Sequence, residues 1–127
     1  MPYYAHIRQD ENGETFYQTV AEHLTGTAAL CREFAADFGA EADGDLMGLA
    51  HDLGKCTDAF QKRLLEGGPV VDHTTAGMLT CIRMKRPSAA ACVAGHHGGL
   101  LDVGNLRTDR AGEATLSGRF KKGVEGH

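Results

Sequence analysis

Thr19-Val20-Ala21-Glu22-His23-Leu24 opens the stretch that decides the fold, and that stretch runs on without a proline to Phe38-Gly39. Thr19-x-x-Glu22 has the form of a capping box, in which a threonine hydroxyl and a glutamate carboxylate reciprocally satisfy the free amides of a helix start. Behind it Val20, Leu24, Thr27, Cys31, Phe34 and Phe38 recur at spacings of three and four. This pattern predicts a helix over 19–38 with that stripe turned inward and Gly39 as its stop.

Working outward, Leu46, Leu49, Ala50 and Leu53 predict a second helix over 45–53, ended by Gly54. Thr57 caps a third through Leu65, with Phe60 and Leu64 inward and Gly67-Gly68-Pro69 as its stop. Asp72 caps a fourth through Lys85, with Ala76, Leu79 and Ile82 on one side and Pro87 closing it. Ser88 caps a fifth from Ala89 to about His96, ended by Gly98-Gly99. Short connections between helices of this kind predict an all-α helical bundle of about five or more helices, formed by residues 1–100. Residues 101–127 mix glycine, charge and isolated apolar positions, and are expected to be a mobile or incomplete tail of the same domain.

Composition agrees with one helical domain. The chain has 127 residues, 42% of them hydrophobic, which suits a single modest core. Aromatics are only 6% and there is no tryptophan, while glycine supplies 17 residues and alanine is as frequent. Close packing through small side chains follows from that balance, and a sandwich or barrel is disfavoured. No apolar run approaches the roughly 20 residues needed to cross a bilayer, and the first residues have no apolar signal core. A soluble cytoplasmic protein is the expectation, with Cys31, Cys56, Cys81 and Cys92 reduced and mostly in the core, because they form no Cys-x-x-Cys pair.

Charge is divided along the chain. Residues 1–60 hold three basic and eleven acidic side chains, whereas residues 61–127 hold ten basic and six acidic. A polyanion is therefore expected to approach the second half, over Lys62, Arg63, Arg83, Lys85, Arg86 and the tail.

Histidines fall on four of the predicted helices, near the edge of an apolar face in each: His23, His51, His73, and the pair His96 and His97. A single helical histidine is ordinarily structural, but a set shared among helices converges. His51 and Asp52 are adjacent and about 100° apart on a helix, so both can hold one ion, with His23 reaching it across the core. Lys55 comes round near the same rim, where its ammonium can steady a phosphate oxygen. Imidazole with carboxylate suits Mn, Fe, Co, Ni or Zn; Mg prefers an all-oxygen shell. The second oxygen of Asp52 is free to bridge to another ion, for which His73, His96 and His97 are available, and two such ions serve phosphoryl chemistry.

The order His23, Ala50-His51-Asp52-Leu53-Gly54-Lys55, Asp72-His73-Thr74-Thr75-Ala76-Gly77 and Gly95-His96-His97-Gly98-Gly99-Leu100 resembles the HD superfamily of metal-dependent phosphohydrolases. Within it, the chain is most similar to the HD nuclease domain of the CRISPR-associated type I helicase-nuclease. Tyr4-Ala5-His6 and Phe60-Gln61 add to that likeness, which covers residues 3–102. The resemblance implies a one- or two-ion centre that cuts single-stranded DNA in CRISPR interference, beside a helicase domain or subunit and a target-bound surveillance complex. It implies His23, His51 and Asp52 as ligands of one ion, and Asp52, His73, His96 and His97 around a second, with Asp52 and Lys55 in catalysis. It also implies a later aspartate ligand, for which only Asp102 and Asp109 stand near, neither in a predicted helix. Two other readings remain open at this level: a phosphohydrolase of nucleotides or cyclic nucleotides, and a catalytically weak module that docks DNA or a partner through its basic half.

Overall fold

The computed structural model describes residues 1–123; residues 124–127 of the expected tail lie outside the described residues. The chain folds mainly as helices, as the sequence pattern requires, with one small addition at its start. Strands β1 (Tyr4–Gln9) and β2 (Thr15–Thr19) form an antiparallel hairpin. The sequence pattern predicts no element in this polar stretch, because its alternation is short and both faces are largely polar. A register irregularity between Tyr4 and His6 turns Ala5 into the core, where it packs with Val20 and Leu24.

Helix α1 (Val20–Ala36) starts on the expected capping box: Thr19 Oγ1 accepts from Glu22 N, and the Glu22 carboxylate accepts from Thr19 N. Its buried face differs from the predicted one. Val20, Leu24, Ala28 and Ala35 are buried, whereas Phe34 and Phe38 are 66% and 75% exposed. The cause lies in α2 (Glu41–Ala50), whose Gly44 and Gly48 come so close that a Cβ at either would overlap the backbone of Cys31 or Ala28. Small residues on both helices bring the axes together, and the phenylalanines are left outside that seam. Helix α2 also begins four residues earlier than expected and ends before His51, so Leu49 is exposed.

A 3₁₀ turn (Leu53–Cys56) leads to α3 (Asp58–Glu66), capped by Thr57 and ended at Gly67, as the sequence predicts. Helix α4 (Thr75–Arg83) begins later than expected, although Asp72 still accepts from the amides of Thr74 and Thr75. Its buried side is Gly77, Met78 and Cys81, one step round from the predicted Ala76, Leu79 and Ile82. Gly77 sets that rotation, since a Cβ there would run into Ala50 O. Helix α5 (Pro87–Gly95) has Pro87 at its first position, where a fixed φ and a missing amide cost nothing, so Ser88 is inside the helix and is not its cap.

Met78, Cys81, Ala89, Ala90, Val93 and Ala94 form the main core with Ala50. Residues beyond Gly99 add an element that the sequence pattern does not predict, α6 (Leu116–Lys122), and Leu101 and Leu116 pack on that core. Arg119 fastens α6 by donating to Thr74 Oγ1 and Ala94 O. All four cysteines are free, but only Cys81 is buried, and Cys56 and Cys92 are exposed. Among the described residues no helix is long and apolar enough to cross a membrane.

Candidate metal centre

Two helices end at the same place in the same way. His51 is the C-cap of α2 and donates Nδ1–H to Gly48 O at 2.8 Å; His96 is the C-cap of α5 and donates Nδ1–H to Val93 O at 2.7 Å. His73, just ahead of α4, spends its Nδ1–H on Val71 O at 3.3 Å. Each backbone carbonyl fixes the tautomer and points the Nε2 lone pair inward. The negative ends of two helix dipoles converge there as well, which favours a cation.

Asp52 is at the middle, 3% exposed. On one side its Oδ2 faces His23 Nε2 at 3.0 Å, His51 Nε2 at 3.3 Å and Lys55 Nζ at 2.9 Å. His23 and His51 bring their Nε2 atoms to 3.0 Å of each other. On the other side Oδ1 faces His96 Nε2 at 3.2 Å, His73 Nε2 at 3.4 Å and His97 Nε2 at 4.0 Å, with His73 and His97 2.9 Å apart. The structure thus brings together His23, His51, Asp52, Lys55, His73, His96 and His97. His51 and Asp52 reach the site from the end of a helix and the turn after it, not from adjoining directions inside a helix.

One residue was not proposed as a ligand from the sequence. His6, carried on β1, lies within 4.8 Å of the donor atoms of His23 and Asp52. Its only sequence signal was its place in Tyr4-Ala5-His6, because without a helix around it the helical periodicity passes it by.

Lys55 is 4% exposed rather than solvated. Its ammonium has three partners for its three protons: Asp52 Oδ2, Ala5 O at 3.3 Å and His6 Nε2 at 3.3 Å. Gln61 sets this up. Its side-chain amide donates to Lys55 O and Tyr4 O and accepts from Tyr4 N, which ties the 3₁₀ turn to the hairpin.

Burial on its own raises the Asp52 carboxyl, but contacts with His51, His96 and Lys55 outweigh it and hold Asp52 well below the usual carboxylate range. Burial lowers His6, His23, His73 and His97, which keeps these imidazoles neutral and able to coordinate. His96 moves the other way, raised by its bond to Asp52.

These donors fit a divalent ion. With Nδ1–H of His73 and His96 spent on backbone carbonyls, both Nε2 atoms point at Asp52 Oδ1, and each such contact needs a proton or a metal ion between the two atoms. Two groups of donors lie within coordinating range of one another: Asp52 with His73, His96 and His97, and Asp52 with His6 and His23. Asp102 and Asp109 belong to neither group. Asp109 is occupied with Thr115 Oγ1 and Asn105 N, and Asp102 O accepts from Leu116 N.

A family model described as HD domain matches residues 20–117. No curated protein matches the chain.

Proposed function

The chain belongs to the HD domain family, a family of metal-dependent phosphohydrolases, and from that premise we propose that it is a nuclease hydrolysing phosphodiester bonds of single-stranded DNA. The observation that supports this most is Asp52, whose two oxygens each serve a separate imidazole group. One ion would be held by His23, His51 and Asp52, and a second by Asp52, His73, His96 and His97; the chemistry they supply is Lewis acidity toward water and phosphoryl oxygen. The ions would be first-row transition metals, with Mg less well suited to so many imidazoles.

The chain's own residues do the rest. Asp52 stays ionised through the neutral range, and neutral imidazoles around it keep the centre open to cations. Lys55, already poised on Asp52 Oδ2, can exchange that partner for a phosphate oxygen and so orient it. Lys62, Arg83, Lys85 and Arg86 are exposed and favour approach of a polyanion, although Arg86 is paired with Asp43. The motif order supports a place in CRISPR interference in the cytoplasm, beside a helicase domain or subunit and a target-bound surveillance complex.

The test is incubation of the metal-supplemented protein with single-stranded DNA, duplex DNA and a nucleotide panel. Cleavage of the single strand in preference to its duplex is expected. Release of phosphate from nucleotides with both DNAs left intact would overturn the nuclease reading.

A further inference from the structure

Beside the centre, between the hairpin and the first turn of α1, runs a groove of about 540 Å³ lined by His6, Arg8, Phe16, Tyr17, Gln18 and Glu22. His6 belongs both to this groove and to the donor group of His23 and Asp52, so the groove leads directly off the centre. Strand register explains its composition. His6 pairs with Gln18 and Arg8 with Phe16, which places these four side chains on one face of the hairpin.

The groove holds chemistry that the fold does not use. Phe16 is 42% exposed and contributes to neither core cluster; Tyr17, paired with Ile7, turns its ring to the other face, against Tyr4 at 5.0 Å between centroids. Among the described residues the Arg8 guanidinium has no ion pair or hydrogen bond; it rests over the Phe16 ring, 5.2 Å from the centroid. Glu22, the one acid, is already committed to Thr19 N and Oγ1 in the capping box. Gln18 has a donor and an acceptor for a base edge.

From this we infer that the hairpin groove seats an unpaired nucleobase next to the scissile phosphate, with the Phe16 ring against the base and Arg8 on the adjoining phosphate. Aromatic rings stack on a base whose face is free, which excludes a base inside a duplex. A guanidinium released from a ring has a fork that matches phosphate oxygens. The placement of the scissile phosphate rests on the proposed nuclease function, while base capture by the hairpin is separately measurable.

The experiment titrates the protein, with chelator present so that nothing is cut, into a short single-stranded oligonucleotide carrying 2-aminopurine, whose emission falls on stacking. The parent protein is expected to quench it and to bind the matching duplex more weakly. Phe16→Leu removes the π face but keeps apolar bulk, and should weaken binding about 5- to 100-fold and abolish the quench. Arg8→Ala should weaken binding and lower the salt slope by about one. Circular dichroism and metal uptake equal to the parent's would show that the variants are folded. A parent that does not bind the single strand, or variants that bind and quench as the parent does, would overturn the inference. Cleavage by variants with unchanged affinity would sink the groove and spare the nuclease reading. Groove-dependent binding by a protein that cuts no DNA would do the reverse.

Discussion

On one side of Asp52 every donor is enclosed, and on the other one of three, His97, opens the group to solvent. Oδ2 faces His23 and His51, whose side chains are 19% and 16% exposed, and a Lys55 ammonium at 2.9 Å. This closed side is close to electrically balanced, since it already contains a cation, and the His23 Nε2–H can be shared between His51 and Asp52. Oδ1 faces His73, His96 and His97, the last with 60% of its side chain exposed, and has no lysine. Two Nε2 atoms oppose one oxygen there, and each contact needs a proton or a metal ion between them. The difference teaches that one carboxylate can serve two unlike sites: the open side demands a cation, while the closed side takes one only by displacing Lys55 from Asp52.

The largest effect is expected where the two sides share an atom set. Asp52→Asn keeps the shape but removes the charge that both sides use, so calorimetric titration with Mn or Zn should show both ions lost. Single-strand cleavage should fall by about 10³-fold or more, roughly 4 kcal/mol of barrier. Retention of one ion at parental affinity would show that the two sides do not depend on this carboxylate.

The sides separate through one imidazole each. His96→Ala should weaken the tighter ion by at least about 100-fold, more than the loss usual for an outer-shell partner. His23→Ala should leave the tighter ion alone and remove the weaker one. If the two variants exchange these results, the closed side is the primary site and the balance attributed to Lys55 is wrong.

A residue with no side chain to coordinate an ion also bears on the comparison. Gly54 donates its amide to His73 O at 3.1 Å, and a Cβ at this position would overlap the His73 backbone. Gly54→Ala should therefore push His73 outward, destabilise the fold by about 2 kcal/mol and weaken the open-side ion more than the closed-side one. Thermal melts with and without metal check this, and an equal loss on both sides would mean that the turn, not His73, carries the strain.

How far the sequence leads follows from the kind of signal each part leaves. Helix starts at Thr19 and Thr57 and the stop at Gly67 are local chemistry, and the structure has them in place. Inward faces are not local. Phe34 and Phe38 lost the core to Ala28 and Ala35 because Gly44 and Gly48 sit on the neighbouring helix, which no periodicity within α1 records. The donor residues on predicted helices were visible as a set of histidines, whereas His6 on a strand and Gln61 beneath Lys55 became visible only once the hairpin was placed against the 3₁₀ turn.

The smallest expected effect lies away from both sides and calibrates the rest. Lys85 has φ of 59°, the one non-glycine residue in the left-handed region among the described residues. It follows α4, where Arg86 N donates to Cys81 O and Lys85 N to Ile82 O, the closing bonds of a helix end whose turning residue is usually glycine. A lysine Cβ in that conformation is crowded by the following carbonyl, a cost of about 1 kcal/mol that glycine avoids. Against this, glycine gains backbone freedom in the unfolded chain, which offsets part of the benefit. Lys85→Gly should therefore raise stability by about 0.5 to 1 kcal/mol, seen as a Tm a few degrees higher. Both metal affinities should stay where they are, because the helix end is joined to neither oxygen of Asp52. A Lys85→Gly variant that gained stability and shifted only the open-side ion would link that side to the far end of α4, and the two sides would then differ in how they are supported as well as in how they are charged.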